Sequence, residues 1–426
     1  MRRVLIIAYY YPPVGGAGSM RLASFASHLP EFGWEPTVLA PHSTPHQADD
    51  SIRFAESHVV RARSLEPALL LHGRAALASN GSGAVGAQPS ARSWLRSVIV
   101  SLAFPDAQLG WYPAAVVAGR RLVDEQSFDV VFSSSYPVTA HLIARTLSRR
   151  AGLPWVAEFR DPWSESVPIA VHRFAAERLE RSIVRTADAV VVPSSAFAAH
   201  YGSRWGVKLA AIPNGHDLDP SFGDPGDNGL PAESPILTHV GTYYPRRRGK
   251  SRLTGCQSLT TVWQAVAALR QAGRAPRIRW VGELSEQARE EACSFGVLDS
   301  IEVTGLVAHD RALDLLRSST MLFASGEVDR GPLGAGTTQS KLFEYLASGL
   351  PILYVCNREA DAATTLGRHE GCYVVQFGDH ESARHAIEDG LQGRRYRREV
   401  QDLSRTARTG DLARVLGEAA GARGAA

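Results

Sequence analysis

Short runs of apolar and β-branched residues alternate with longer helical patterns along the whole sequence, and this alternation constrains the fold more than any other feature. In the first half the runs cover residues 4–8, 37–40, 130–133, 155–159 and 189–193. In the second half they cover residues 236–240, 278–281, 301–303, 321–324, 352–355 and 372–376. Continuous apolar strands separated by helices are typical of parallel sheets that are covered on both faces. The pattern therefore predicts an α/β protein with doubly wound parallel sheets.

The chain is long enough for two such domains. Its 426 residues exceed one ordinary hydrophobic core and suit two domains of about 200 residues each. The stretch 217–235 is rich in proline, glycine and aspartate, as expected of a linker. We predict an N-terminal domain over 1–216, a linker over 217–235 and a C-terminal domain over 236–403. A helix over about 404–426 either packs back on the first domain or frays.

Composition excludes several partners and locations. The net charge of +3 comes from arginines scattered along the chain, whereas a nucleic-acid-binding surface normally needs a basic block. The four cysteines have neither the spacing of a zinc site nor that of a disulfide framework, which favours a reducing compartment. No segment has the apolar length of a signal peptide or a membrane span. We expect a cytoplasmic protein that binds no nucleic acid.

One region leaves a membrane contact open. Residues 64–92 are rich in alanine, glycine and serine and predict a mobile excursion from the first domain. Apolar residues at helical spacing follow over 95–102. This helix fits either a surface helix in a membrane interface or an amphipathic helix packed on its own domain. A weak peripheral association with a membrane is therefore one of two interpretations.

The first apolar run leads into a glycine-rich turn. Three tyrosines and two prolines are followed by Gly15, Gly16 and Gly18, and then by an amphipathic helix. Glycines at such a junction let backbone amides approach an oxyanion or a sugar hydroxyl closely, which makes Gly16 a donor-side candidate. The order differs from the dinucleotide fingerprint GxGxxG, and no acidic residue ends the next strand to hold a ribose. A tight turn without a ligand is the alternative.

The strongest motif is TTQSKLFEYLASGLPIL over 337–353. Thr337, Thr338 and Ser340 form a polar loop before a helix, where free amides and the helix dipole favour a pyrophosphate. Lys341 adds a positive charge, and Glu344, one turn further on, can accept both hydroxyls of a ribose. This arrangement predicts a nucleotide pocket.

Together these motifs resemble glycosyltransferase family 4, the retaining transferases of the GT-B fold. The likeness lies in SKLFEYLASGLPIL, in the glycine loop followed by Arg21, and in ADAVVVPSS, IPNGHD and HVGTYYPRRRGK, in the family's order along nearly the whole chain. It implies two Rossmann-like domains facing a central cleft. It also implies transfer of a sugar, with retention of anomeric configuration, from a nucleoside diphosphate sugar to an acceptor hydroxyl or amine. No cofactor is implied, and neither the acceptor nor the oligomeric state is specified.

The resemblance assigns the remaining donor-binding residues. It places Gly241 in a loop near the donor, Lys250 and one of the arginines at 246–248 on the diphosphate, and Glu344 on the ribose. We take Arg247 and Lys250 as the pair that stabilises the leaving diphosphate, with a solvated basic turn as the alternative. Two converging cations make a metal dispensable.

A metal site is disfavoured for a second reason. The segment Asp217-Leu218-Asp219 looks like the DxD that holds a metal in another transferase fold. It follows Asn214 and Gly215, which favours a turn. We therefore expect no metal.

The sequence departs from the family at one important position. Family members often carry two glutamates with seven residues between them, and counting back from Glu344 places the first at Gly336. The carboxylate beside the transferred sugar is therefore missing. Glu327 or Asp329 could replace it, or the backbone amides at Gly336 and Thr337 could bind the sugar hydroxyls.

The segment AEFRDPWSES supplies acceptor-side candidates. Arg160 and Asp161 end a predicted strand, and Asp161 could orient or deprotonate the attacking hydroxyl. A helix N-cap or an ion pair with Arg160 is the alternative for Asp161. Tyr136 and His141 lie near the same cleft, although His141 also fits a structural role inside a helix.

Three other functions share parts of this pattern. An epimerase or hydrolase of the same fold would use the donor pocket without a second substrate. A decayed nucleotide-sugar-binding protein would explain Gly336. A nicotinamide-dependent dehydrogenase needs an acid after the first helix, which the sequence lacks. The favoured function is a glycosyltransferase with Asp161, Arg247 and Lys250 as catalytic residues.

Overall fold

The computed structural model describes residues 1–42, 56–65, 104–167, 170–219, 222, 235–243 and 257–424. The chain divides into two compact units. The first comprises Met1–Val192, Tyr201–Ile212 and Thr409–Ala426, and the second comprises Pro193–His200 and Pro213–Arg408. Within the described ranges, no helix is both long and apolar enough to cross a membrane.

The described strands form two parallel sheets, one in each unit. The strands of the first sheet are β1 (Arg2–Ile7), β2 (Trp34–Pro41), β3 (Val59–Ala62), β4 (Val130–Ser135), β5 (Trp155–Phe159), β6 (Ala189–Val192) and β7 (Ala210–Ala211). Those of the second are β8 (Ile236–Val240), β9 (Arg277–Val281), β10 (Ile301–Gly305), β11 (Met321–Ser325), β12 (Ile352–Cys356) and β13 (Cys372–Gln376). Their spatial orders are β3-β2-β1-β4-β5-β6-β7 and β10-β9-β8-β11-β12-β13. Each order reverses once, as in doubly wound folds, so the predicted fold class is confirmed.

Helices connect these strands. Those that precede β8 are α1 (Ala17–His28), α2 (Tyr112–Glu125), α3 (Thr139–Ala151), α4 (Trp163–Ser166), α5 (Ala170–Thr186) and α6 (Ser195–Trp205). Those that follow β8 are α7 (Thr260–Gln271), α8 (Glu286–Ser294), α9 (His309–Arg317), α10 (Pro332–Gly336), α11 (Lys341–Ala347), α12 (Asp361–Leu366), α13 (His380–Gly390) and α14 (Arg405–Gly424).

The end of the chain contributes to the core of the first unit. One buried cluster contains Val4 and Ile6 of β1, Phe25 of α1, and Leu412 and Leu416 of α14. Apolar side chains on both faces of a parallel strand need cover on both sides. Helix α14 therefore supplies part of the cover that β1 requires.

In the second unit, neighbouring residues of one strand enter different clusters. Phe323 of β11 and Leu353 of β12 pack in a cluster with Trp263 of α7. Leu322 and Ile352, their neighbours along the same two strands, pack in a cluster that includes α11. Side chains alternate across a strand, so both faces of this sheet are apolar and its strands appear in the sequence as unbroken apolar runs.

Helix α11 ends where its sequence breaks. Gly349 has a φ of 70°, which glycine adopts without steric penalty, and Pro351 leads directly into β12. Because α11 connects two parallel strands, its first residues lie at the carboxyl edge of the second sheet. This places the motif around Lys341 at the edge where such sheets bind ligands.

Three predicted segments lie outside the described residues. They are the excursion over most of 64–92, the helix over 95–102, and most of the linker over 217–235. The weak membrane association depends on the helix over 95–102 and therefore stays a prediction.

Candidate active site

The strand order of the second sheet marks one position for ligand binding. The chain leaves β8 toward one side for β9 and β10 and returns to the other side for β11. Open α/β sheets bind ligands at the carboxyl ends of the strands that border such a reversal. Gly241 follows β8 there, with a φ of 95°, and residues 326–340 follow β11 and lead into α11.

The loop before α11 presents free backbone amides. Those of Thr338, Gln339 and Ser340 donate to no other described residue. The Gln339 side chain fixes the loop by donating from Nε2 to the Ser325 carbonyl at 2.7 Å, and its Oε1 is buried without a partner in the described part of the chain. Thr337 differs, because its amide and its hydroxyl both donate to a carbonyl of α10. Successive free amides can bind the oxygens of an anion.

Lys341 extends from the first residue of α11 toward the end of β8. Its Nζ lies 3.1 Å from Nε2 of His239. The backbone of Gly241 is also close, since a Cβ at that position would lie 3.8 Å from Nζ. Burial lowers the pKa of Lys341 to about 7. The structure thus brings together Lys341 and Gly241, which are far apart in the sequence, and adds His239 to them.

Glu344 lies one turn further along α11. Its side chain is 13% exposed, and Oε1 lies 3.7 Å from Nη2 of Arg405 and 3.9 Å from Nε2 of His309. Burial raises the pKa of the Glu344 carboxyl, and the charges of His309 and Arg405 oppose that shift. No described residue donates a hydrogen bond to either oxygen. A buried carboxylate with open acceptor positions can receive two hydroxyl groups.

Gly336, the position of the missing glutamate, has no room for a side chain. A Cβ built there would lie 2.1 Å from Cδ1 of Phe197 and 2.7 Å from Oγ of Ser194. Phe197 is 1% exposed and cannot swing into solvent without leaving the core. The family's first glutamate is therefore excluded by packing as well as being absent.

The two acids considered as substitutes lie in a tightly held loop. The side chain of Asn357 donates from Nδ2 to the carbonyls of Glu327 and Asp329 at 3.3 and 3.4 Å. The Asp329 carboxylate accepts a hydrogen bond from the amide of Gly331 at 3.0 Å. Asp329 is thus already engaged within its own loop.

Other predicted donor residues cannot be placed. Arg247 and Lys250, together with Arg246 and Arg248, lie outside the described residues, so their roles stay predictions.

The segment that looks like a DxD metal motif has another partner, because Asp217 forms an ion pair with Arg405. In the part of the chain that the structure describes, no group of three or more His, Cys, Asp or Glu residues could hold a metal ion.

The first unit carries its glycine loop at the equivalent reversal, beside β1 and β4. Gly16 precedes α1 with a φ of 102°, and the first turn of α1 has neither an acidic residue nor a side-chain cap. A Cβ at Gly18 would come 1.5 Å from Nη1 of Arg160, so a larger residue there would displace the Arg160 guanidinium. Arg160 donates from Nε to the Ser135 carbonyl at 2.6 Å and from Nη2 to the Tyr136 carbonyl at 2.9 Å. The structure therefore joins the glycine loop to two acceptor-side candidates, Arg160 and Tyr136.

Asp161 is the acidic group of this cluster. The residue as a whole is exposed at the surface. Desolvation of its carboxyl nevertheless raises the pKa of Asp161 to about 6, against the opposing charge of Arg160. Its carboxylate forms no hydrogen bond or ion pair with another described residue. The alternatives of an N-cap and of an ion pair with Arg160 are thus not observed.

His141 does not fit the acceptor-side role. It is completely buried, and its ring packs against Phe159 and Trp155 with centroids 4.5 and 6.1 Å away. Its Nδ1 lies 2.8 Å from Oγ of Ser133, which also accepts from Nε1 of Trp155. Burial lowers the pKa of His141 to about 3. A neutral histidine enclosed in the core cannot reach an acceptor, so its role is structural.

Sequence reasoning missed a buried ion pair beneath the glycine loop. Nη2 of Arg21 lies 2.8 Å from Oε1 of Glu158, and Ser134 donates to the other carboxylate oxygen at 2.6 Å. Arg21 also donates to the Ile212 carbonyl at 2.7 Å. A single acid inside the apolar run WVAEF was the signal that could have identified Glu158, because a buried carboxylate needs a partner.

Comparison with known protein families finds a match in the first half of the chain. Residues 16–215 match the sequence model of a family described as "Glycosyl transferase 4-like domain". No curated protein sequence matches the chain.

Solved structures of similar fold cover nearly the whole chain. Sucrose-phosphate synthase from Thermosynechococcus elongatus has a TM-score of 0.61 at 15% identity, covering 100% of this chain and 98% of that one. HepE from Anabaena, solved in complex with UDP and glucose, has a TM-score of 0.59 at 14% identity, covering 98% of this chain and 100% of that one. WaaG, a glycosyltransferase involved in lipopolysaccharide biosynthesis, has a TM-score of 0.51 at 13% identity, covering 97% of this chain and 95% of that one. At these identities the likeness concerns the fold.

Proposed function

We propose that this chain, which has the GT-B fold and matches the glycosyl transferase 4-like domain over residues 16–215, is a glycosyltransferase. It transfers a sugar from a nucleoside diphosphate sugar to an acceptor hydroxyl or amine. The second unit binds the donor, and the first unit presents the acceptor. The observation that carries this proposal is the buried carboxylate of Glu344, which accepts no hydrogen bond from the described residues and lies beside a row of free amides.

The donor site follows from the spacing of these groups along the chain. The free amides of Thr338, Gln339 and Ser340 face an anion, and Lys341 supplies a cation next to them. Glu344 lies one helical turn away, where the ribose hydroxyls of a nucleoside diphosphate can donate to its carboxylate. The complex of HepE with UDP and glucose supports a donor of this class.

The acceptor side uses Arg160, Asp161 and Tyr136. Asp161 orients the attacking hydroxyl or takes its proton, since its carboxylate has no competing partner among the described residues. A pKa of about 6 suits a base that is ionised at neutral pH but still basic enough to accept a proton. Arg160 holds the backbone at Tyr136 and lies against the glycine loop.

We include retention of configuration and metal independence in the proposal. The position of Gly336 has no space for a carboxylate that could form a covalent intermediate. Where Asp161 only orients the acceptor, the leaving diphosphate takes the proton of the attacking hydroxyl on the same face of the sugar. Lys341 and the predicted cations Arg247 and Lys250 stabilise this diphosphate. A cytoplasmic location is also proposed, and the free thiols of Cys293, Cys356 and Cys372 support it.

Thermal unfolding in the presence of ribonucleotides tests this function. We expect one of UDP, GDP or ADP to raise the melting temperature, because a ligand at 100 times its Kd stabilises the folded state by about 2.7 kcal/mol. The corresponding free nucleoside should have little effect, since it lacks the diphosphate.

The nucleotide sugar with the same base then serves as the donor in a turnover assay. We expect consumption of this donor to depend on an added acceptor. Absence of a thermal shift with every nucleotide, or hydrolysis of the donor at the same rate without an acceptor, would contradict the proposal.

A further inference from the structure

The contact between Lys341 and His239 joins the start of α11 to the interior of the second sheet. His239 is 1% exposed, and its ring stacks on Trp280 with the centroids 4.2 Å apart and the planes at 23°. The ring of Phe323, on the other neighbouring strand, lies 5.3 Å away. This packing fixes the orientation of the imidazole.

The orientation determines which nitrogen of His239 carries a proton. Nδ1 lies 3.1 Å from the carbonyl oxygen of Phe323, and a carbonyl can only accept a hydrogen bond. Nδ1 is therefore the protonated nitrogen of the neutral ring. Nε2 is left as an acceptor, and the amine of Lys341 donates to it at 3.1 Å.

The surroundings of Lys341 favour its neutral form. Among the described residues, the titratable groups near it are His239 on β8 and Glu344 on its own helix. The closest charged neighbours of Glu344 are Arg405 and His309. From β9 and β11 the uncharged rings of Trp280 and Phe323 face His239. Burial alone lowers the pKa of Lys341 to about 7, with no carboxylate contributing.

We propose that His239 is a positioning residue that holds the Lys341 amine at the donor site, and that this amine takes up a proton when the donor diphosphate replaces His239 as its partner. The inference rests on the proposed donor site and deepens it. A neutral amine can donate to Nε2 of His239, and an ammonium group pairs with the diphosphate.

This exchange predicts a definite pH dependence of diphosphate affinity. Below pH 7 the amine of the free protein is already protonated, because its pKa is about 7, and binding needs no further proton there. Above pH 7 the free protein must first be protonated, and the affinity falls about tenfold per pH unit until the higher pKa of the bound state is reached. The contribution of Lys341 to diphosphate affinity is thus greatest below pH 7.

Calorimetry with inorganic pyrophosphate tests the proposal on the intact chain. At pH 8, titration in buffers of different ionisation enthalpy should reveal uptake of about one more proton by the wild type than by Lys341→Arg. Arginine keeps the positive charge at every pH of the experiment. Pyrophosphate also titrates, but it does so equally in both experiments. Dividing the wild-type affinity by the Lys341→Arg affinity at each pH therefore removes the contribution of pyrophosphate.

Two substitutions at His239 separate positioning from packing. His239→Gln keeps an acceptor for Lys341, and we expect pyrophosphate affinity within about threefold of the wild type. His239→Phe keeps an aromatic ring on Trp280 but removes the acceptor, and we expect about tenfold weaker binding at pH 7 and a pH midpoint below that of the wild type. A purely structural role would leave that midpoint unchanged, and this result would overturn the proposal.

The donor site and its proton coupling fail in different ways. If Lys341→Met binds pyrophosphate as tightly as the wild type, the proposed donor site is wrong. If Lys341→Met loses binding but Lys341→Arg and the wild type show the same pH profile and proton uptake, the donor site stands and the proton coupling is wrong.

Discussion

Gly336→Glu should lower the free energy of unfolding by about 3 kcal/mol instead of restoring the missing carboxylate. The Cβ of any residue at this position would lie 2.1 Å from the ring of Phe197 and 2.7 Å from Oγ of Ser194. Phe197 is enclosed in the core, and a closely packed interior relaxes only partly around added atoms. Urea unfolding monitored by circular dichroism measures the change.

Matched alanine substitutions identify the cause. Gly336→Ala should already produce most of the destabilisation, because the clash begins at Cβ. Gly421 is the control: it lies in α14, where an added methyl group would meet no atom within 4 Å, so Gly421→Ala should stabilise by up to about 1 kcal/mol. In a Phe197→Ala background, Gly336→Ala should cost much less. If Gly336→Ala destabilises both backgrounds equally, the ring of Phe197 is not what excludes a side chain at position 336.

Glu344→Ala should weaken binding of the preferred nucleoside diphosphate several hundredfold. Two ribose hydroxyls would lose a charged acceptor, at about 1.5 to 3 kcal/mol for each hydrogen bond. Inorganic pyrophosphate has no ribose, so its affinity should change by less than about threefold. Comparison of the two ligands by calorimetry therefore separates recognition of the ribose from recognition of the diphosphate.

The fold should tolerate this substitution. Arg405 keeps its ion pair with Asp217 when Glu344 is removed. Glu359→Ala, which removes an exposed carboxylate from the same unit, is the control and should leave both affinities unchanged. Equal nucleotide affinity in Glu344→Ala and the wild type would exclude Glu344 from the donor site.

Most of the sheet architecture could be predicted from the sequence. The apolar runs over 155–159, 236–240 and 372–376 coincide with β5, β8 and β13, and the other predicted runs differ from their strands by a few residues at the ends. Two strands of the first sheet were not predicted. β7 has two residues and β3 has four, and segments so short carry too little apolar pattern to stand out.

The candidate site could be predicted only in part. The amides and charges between Thr338 and Glu344 belong to one continuous motif, and local pattern suffices to find them. His239 and Arg405 are brought to this motif by tertiary packing. His239 opens the segment HVGTYYPRRRGK but lies within an apolar strand, and Arg405 lies at the start of the last helix. Neither position has a local signal of the contact that the fold gives it. The exclusion of a side chain at Gly336 depends on Phe197, a distant residue that only the fold places beside it.

The free amides of Thr338, Gln339 and Ser340 also make the loop a sensor of its own occupancy. Without an acceptor for these hydrogens in the described chain, nothing there slows their replacement by deuterium from the solvent. An anion bound to them would protect three neighbouring positions at once. Mass spectrometry of a peptide spanning this loop can therefore report whether a given nucleotide sugar binds there, before any acceptor is known.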